Sequence, residues 1–313
     1  MTFTRNEHAL SEVIGFILIL GIVVAAFSLY MTYVVPLEGR EREIEHMDGV
    51  KDRFTDYKIT LDSLWINREN GTTVSTSLNL GTGGGSTQAG GLFLPLLKPV
   101  TSSATLSLRN LGDSITINSS STENLAPIRA EFPLTINIVE YQSSNYYWIQ
   151  QRYYYQLGGV FLAQDDGITN RVSPPFSIAN GTTFAMVSIT PVQVTGGGII
   201  GGTGPVRIDT RKKTLPEFQI SDPAYKSNTW VNLTVNVTDS STGMMWLNLL
   251  NGTAEREQIN RTWYTSGIGV NPVTKRATVF FNITGPPEAK SVTLDVRRAE
   301  FYVVFNNIAS GFS

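Results

Sequence analysis

The 313-residue sequence contains no cysteine and only two histidines, His8 and His46. The lack of cysteine excludes disulfides, thiolate catalysis, cysteine–zinc sites and iron–sulfur clusters. Because both histidines lie near the N-terminus, the long region after them can form neither a Ser-His-Asp triad nor a histidine metal site. We expect no enzyme activity and no cofactor or metal, and we expect His46 to be a solvated residue.

Charge is also scarce, since 16% of the residues are charged and the net charge is −2. This balance lacks the basic excess that is typical of nucleic-acid-binding proteins, so we expect no nucleic-acid partner. Hydrophobic residues make up 41% of the chain, more than disordered proteins contain. Most of the chain should therefore fold, as one large domain or two modest ones.

An uncharged, mostly apolar run of 23 residues extends from Val13 to Val35. A helix of that length spans about 35 Å, enough to cross about 30 Å of hydrocarbon. A buried core helix would be shorter and would carry a polar stripe. A cleaved secretory signal would have a shorter apolar stretch, followed by a small-residue cleavage site. We therefore predict a transmembrane or filament-core helix over residues 10–36.

The residues that precede this run, RNEHALSEVIG at 5–15, resemble the class III signal of archaeal type IV pilins and archaellins. In that family a short polar leader ends in a small residue, and a membrane peptidase cuts before the apolar helix. The resemblance implies a leader over residues 1–9. It also implies that a prepilin-peptidase-like enzyme cleaves the chain between Ala9 and Leu10.

Three residues near the start of the mature helix are candidates for assembly. Gly15 and Gly21 are small, and small residues let helix backbones approach closely. Glu12 is the single charge at the edge of the apolar run, and burying it without a partner would be costly. The resemblance to pilins implies that this carboxylate offsets the N-terminal amine of a neighbouring subunit.

Residues 37–64 are predicted to form a charged helical stalk, with Gly39 and Gly49 as weak points. Thirteen of the 26 residues from 37 to 62 are charged. Apolar residues recur at spacings of three and four, which indicates one apolar helix face. This stripe could pack on the chain's own β domain or pair with another copy. It consists of Met47, Val50, Phe54, Tyr57, Leu61 and Leu64.

Residues 65–313 have short alternating runs separated by turn residues, such as Val231–Val237. Such alternation is typical of half-buried strands. We predict a mainly β fold, in which the N-terminal helix and stalk are followed by an antiparallel β-sandwich-like exterior domain. Residues 242–258 could form a helix that ends near Gly252. Residues 291–306 should form one long strand or a tight pair of strands.

Two glycine-rich segments, at 81–91 and 195–205, lack the consecutive Lys-Ser/Thr pair that completes a phosphate-binding loop. We interpret both as connections between strands, and we expect no nucleotide to bind there. The first overlaps LNLGTGGGSTQAGG at 78–91. This segment and YYYQLGGVFLAQDDG at 153–167 are similar to parts of archaeal pilin-like proteins that combine such an N-terminus with a β-rich exterior domain.

A tyrosine-rich stretch at 141–156 holds six tyrosines and one tryptophan in sixteen residues. Exposed aromatic rings could stack on sugars, as in an adhesin. Tyrosine is also a strong strand former, and its cross-strand pairs stabilise sheets. We favour the second interpretation.

The N-glycosylation motif N-x-[ST] occurs eight times, about twice as often as chance predicts from this composition. Every motif lies after the apolar helix, in the part that we expect outside the membrane. The candidate acceptors are Asn70, Asn118, Asn180, Asn232, Asn236, Asn251, Asn260 and Asn282.

The features together favour a structural protein, a pilin-like subunit or minor pilin of an archaeal cell-surface filament. Its expected partners are membrane lipid and copies of itself or other pilins. The alternative is a signal-anchored monomer that stays in the membrane as a surface protein or adhesin. Either way, we expect a single-pass protein of the cell membrane with its C-terminal domain outside, or an extracellular filament. A surface glycosidase would need a carboxylate pair that no motif singles out.

Overall fold

A long N-terminal helix leads into a mostly β domain, which confirms the predicted fold class. The helix comprises α1 (Glu7–Leu29), a π-helical turn (Tyr30–Val34) and α2 (Val35–Ile66). The helix continues through both stalk glycines. The computed structural model describes residues 7–67, 71–85, 98–120, 133–181, 184–215, 226–288 and 291–307.

The π-helical turn ends at Val34, two residues before Pro36. Proline has no N–H to donate to the carbonyl four residues back, and its ring crowds that carbonyl. One wide turn accommodates this misfit without ending the helix. The apolar segment and the stalk are therefore joined as one continuous helix.

The β-rich domain consists of three sheets within the described ranges. Its strands are β1 (Thr73–Asn79), β2 (Ser103–Ser119), β3 (Leu134–Ser144), β4 (Arg152–Gln156), β5 (Gly159–Gln164), β6 (Gly167–Val172), β7 (Phe176–Asn180), β8 (Ala185–Ile189), β9 (Val192–Gly197), β10 (Ile199–Gly202), β11 (Pro205–Lys212), β12 (Lys226–Asn228), β13 (Val231–Val237), β14 (Tyr264–Val270), β15 (Ala277–Ile283), β16 (Val292–Val296) and β17 (Ala299–Asn307).

The largest sheet has nine strands, in the order β14-β15-β13-β2-β3-β4-β5-β6, with β10 also paired to β2. The smaller sheets have the orders β1-β11-β17-β9 and β12-β16-β8-β7. Antiparallel pairing dominates, as predicted, but the pairs β8–β16 and β9–β17 are parallel.

The parallel pairs arise because two chain segments run next to each other as they pass from one small sheet into the other. Strands β8 and β9 are separated only by Thr190 and Pro191, and β16 and β17 only by Arg297 and Arg298. The Arg297 N–H donates to the Ile189 carbonyl at 3.0 Å, which keeps the two corners together. The C-terminal run therefore forms two strands in different sheets, and the predicted single strand or tight pair is wrong.

One hydrophobic core, the stalk core, lies between α2, the small sheet that begins with β1, and strands β2 to β5. All six residues of the stalk stripe are buried in it, so the stripe packs on the chain's own β domain. Burying a side chain of this size contributes about 1.5–3 kcal/mol. At the end of the helix, the Lys212 ammonium donates to the Leu64 carbonyl at 3.3 Å.

The second core lies under α3 (Ser240–Arg256) and the other small sheet. Asp239 caps this helix, because its carboxylate accepts the Thr242 N–H at 2.8 Å. The helix runs past Gly252, since Thr253 and Ala254 are buried in the next turn. The prediction that it ends near Gly252 is wrong.

The tyrosine-rich stretch is mostly structural, as favoured from the sequence. Tyr153 and Tyr155 on β4 face the stalk core, while Tyr154 faces the second core. Tyr155 and Tyr57 of the stalk meet edge to face, with ring centroids 5.5 Å apart. Between β3 and β4, however, Tyr146 is exposed.

Candidate functional site: the apolar helix and its junction with the β-rich domain

Among the described residues, one helix is long and apolar enough to cross a membrane, and no residue of its most apolar segment is buried. From Val13 to Val34 the large apolar side chains are exposed or only half-buried. A soluble domain rarely leaves so large an apolar surface uncovered. This segment can serve as a single-pass membrane anchor.

The predicted assembly residues lie on this exposed helix. Glu12 is exposed at its start, and a Cβ added at Gly15 or Gly21 would meet no atom within 4 Å. Neither glycine is therefore packed against another element of the described part of the chain. The predicted cleavage bond, Ala9–Leu10, lies in the first turns of α1, while residues 1–6 of the predicted leader lie outside the described residues.

The stalk is fixed to the domain by a buried carboxylate. Glu43 is 1% exposed. The backbone N–H groups of Tyr146, Tyr147 and Trp148 donate to its two oxygens at 2.7, 2.8 and 2.7 Å. These three donors belong to the turn between β3 and β4, residues 145–151, which we call the junction turn. Charge-assisted bonds of this length are stronger than bonds between neutral groups.

The turn also packs closely on the helix one turn nearer the membrane segment. Gly39 lies against the Tyr147 ring, and an added Cβ would come within 2.8 Å of its Cγ. The Tyr147 hydroxyl accepts the Val100 N–H at 3.1 Å. The Arg40 guanidinium stands 4.5 Å from the centroid of the Trp148 ring, a cation–π contact.

His46 extends this junction one turn further, so the expectation of a solvated histidine is wrong. The Tyr141 hydroxyl donates to the Leu80 carbonyl at 3.0 Å and lies 2.8 Å from His46 Nε2. Because a hydroxyl has one proton, the imidazole must donate from Nε2. Burial lowers the pKa of His46, against the opposing effect of Glu43, and burial also raises the pKa of Tyr141.

Three predicted glycosylation sites lie side by side on the polar face of the largest sheet. Asn232 on β13 is paired with Asn282 on β15 and with Asn118 on β2. With Trp230 and Thr284 they line an open depression of about 520 Å³. All three asparagines are half-buried, in contrast to the buried residues that alternate with them.

The other predicted sites are separate from this row. The Asn236 side chain accepts a hydrogen bond from Thr278 at 2.7 Å, and that of Asn251 accepts one from Ser266 at 2.6 Å. Asn260 accepts the Thr262 N–H at 3.0 Å, and Asn180 donates to the Gln258 carbonyl at 3.2 Å. Asn70 lies outside the described residues.

No protein-family model, no curated protein and no solved structure matches the chain. The resemblance of residues 5–15 to archaeal pilin signals therefore stays a prediction from the sequence.

The row of asparagines gives a testable prediction: a glycan on the central Asn232 excludes a glycan on Asn118 and on Asn282 of the same molecule. Neighbouring strands are about 4.7–4.9 Å apart, which is too close for two linked sugars on the same face. Glycopeptide mass spectrometry of the folded native protein should give occupancies of Asn232 and Asn118 that sum to one or less, and the same limit should hold for Asn232 and Asn282. Asn180 and Asn260 are exposed on other elements and serve as independent controls. A sum above one for either of these adjacent pairs would contradict the prediction.

Proposed function

We propose that the chain is a structural, pilin-like subunit of a cell-surface filament. The observation that carries this proposal is the division of one continuous helix into two halves. The half before Val35 has exposed apolar side chains, while the half after it is locked to the β-rich domain. In the proposed filament, the first halves pack together as a core and the β-rich domains form the outer surface.

The exposed half needs a cover that the described part of the chain does not supply. Before assembly that cover is lipid, and in a filament it is the same helix of neighbouring subunits. Gly15 and Gly21 leave open space for a close approach. Glu12 would pair with the N-terminal amine of a neighbour, the role that the pilin resemblance implies. Cleavage between Ala9 and Leu10 would create that amine.

The β-rich domain lies outside the cell, where the glycosylation motifs would be used. The chain acts through its surfaces and its assembly rather than as an enzyme.

One observation favours a second candidate, an anchored monomer. The apolar stripe of the stalk, which could have paired with another copy, is buried within the chain. Self-association through the long helix must then use its membrane half. If that half remains in the bilayer, the protein is a single-pass surface protein that displays its β-rich domain.

Two substitutions in the exposed helix should separate these candidates. Glu12→Ala removes the carboxylate that would pair with a neighbouring subunit. Gly21→Leu places a large side chain where helices would approach closely, without reducing hydrophobicity. We expect each to lower recovery of the protein in sheared filaments severalfold while expression and membrane insertion stay normal. Quantitative mass spectrometry and negative-stain microscopy of the sheared fraction provide the measurement.

Ile22→Leu is the matched control, because it changes the shape of the same helix at constant size. The N-terminal peptide from the same fraction should begin at Leu10. If both test variants equal the parent in filament yield, or if the parent itself never leaves the membrane fraction, the anchored monomer is the correct function.

A further inference from the structure

The junction turn lies at the end of the domain that is nearest the membrane segment. Its contact residue on the helix, Gly39, is five residues beyond Val34, which corresponds to about 7.5 Å along the helix axis. The headgroup layer on each side of a bilayer is about 5–7.5 Å thick. Since Glu43 and Gly39 fix the turn against the helix, the turn cannot move away from this level.

The side chains at this level are unusually apolar for a solvent-facing surface. Tyr146 is 65% exposed and Ile149 is 45% exposed. Leu37 on the helix and Val100 beside Tyr147 are also exposed. Leu37 lies three residues beyond Val34, where the exposed apolar helix ends, and Trp148 of the junction turn is half-buried. Tyrosine and tryptophan are the residues that prefer the membrane–water interface.

We propose that this surface, formed by Leu37, Val100 and the junction turn, rests in the lipid headgroup layer and holds the β-rich domain against the bilayer. The inference rests on the membrane-anchoring part of the proposed function. It applies to a monomer and to a subunit before assembly. The function it adds is a second membrane contact, which sets the orientation of the domain.

The charges around this surface indicate what kind of lipid it needs. Arg40 and Arg42 are accompanied by Glu38, Glu41 and Glu45, so this end of the stalk is not basic. Attraction to anionic headgroups requires an excess of lysine and arginine. Contact therefore depends on aromatic and aliphatic insertion, and neutral phosphatidylcholine should suffice.

The absence of cysteine makes a direct test possible in the full-length chain. Single variants Tyr146→Cys, Thr229→Cys and Leu20→Cys would each carry a nitroxide label in phosphatidylcholine liposomes. Thr229 is exposed and precedes β13, near the far end of β2, about 50 Å along the strand from the junction turn. Leu20 lies in the middle of the apolar helix.

Collision rates with oxygen and with a water-soluble nickel complex then report the depth of each label. We expect the oxygen-to-nickel ratio at position 146 to be severalfold higher than at 229 and lower than at 20. Equal ratios at 146 and 229, with a deep label at 20, would overturn the membrane contact and leave the anchor intact. If the label at position 20 has the oxygen-to-nickel ratio of a label in water, the apolar helix is not a membrane anchor. That result would also overturn the proposed headgroup contact.

A label-free measurement guards against the label itself driving insertion. Brominated phosphatidylcholine should quench the emission of the parent protein more than that of Trp148→Phe, because Trp148 lies at the proposed contact. Equal fractional quenching of the two proteins would count against the contact. Adding anionic lipid should leave the depth at position 146 unchanged, and a strong dependence would contradict the apolar mechanism.

Discussion

Replacing Glu43 with alanine should lower the free energy of unfolding of the β-rich domain by about 3 kcal/mol, because each buried donor that loses its partner costs about 1–3 kcal/mol. The side chain accepts three backbone N–H groups, and none of them has another acceptor in the described contacts of the turn. Denaturant unfolding of the purified chain in detergent, followed by near-ultraviolet circular dichroism, would measure the change.

Two further variants show whether the carboxylate itself is responsible. Glu45→Ala removes an exposed glutamate from the same helix and should have little effect. Glu43→Gln keeps one oxygen but turns an amide group toward a backbone donor, so its loss should be intermediate. If Glu43→Ala unfolds at the same denaturant concentration as Glu45→Ala, the three hydrogen bonds do not hold the junction.

The helix and its buried face could be predicted because both depend on local periodicity. The spacing of Met47, Val50 and Phe54 defines one helix face whatever it packs against. The sequence could not decide between the chain's own domain and a second copy, since both bury the same stripe. That decision depends on strands that lie far away in the sequence, such as β11 and β17.

The junction was not predicted, although one signal was present. Glu43 lies four residues before Met47, so it continues the buried stripe toward Gly39 and Val35. A charged residue in phase with an apolar stripe indicates a buried charge that must have partners. Those partners are backbone groups about a hundred residues later, and no side-chain pattern reveals them.

The strands were predictable for a similar reason, but their neighbours were not. Alternation identifies β13 and β15 directly, because one face of each is buried and the other is exposed or half-buried. The parallel corner of β8, β9, β16 and β17 has no such local signature. The row of Asn118, Asn232 and Asn282 follows from strand order, so it too appears only in the folded chain.

The two stalk glycines should respond to alanine with opposite signs. Gly49 is exposed, and an added Cβ would meet no atom within 4 Å. Gly49→Ala should therefore stabilise the domain by up to about 1 kcal/mol, the usual difference between alanine and glycine inside a helix. Gly39→Ala gains the same propensity but forces its Cβ into the Tyr147 ring. Overpacking of this kind costs about 1–3 kcal/mol, so the net effect should be a loss.

Removing the ring shows whether Tyr147 is the cause. In a Tyr147→Ala background the space beside Gly39 is open, so Gly39→Ala should become stabilising, as Gly49→Ala is in the parent. The free energies of unfolding of the parent, both single variants and the double variant form a cycle that isolates this contact. A Gly39→Ala effect that is unchanged by the loss of the ring would contradict the close packing. Only glycine fits at position 39 beside the Tyr147 ring. The low helix propensity of glycine is therefore the cost of the close contact between the helix and the junction turn.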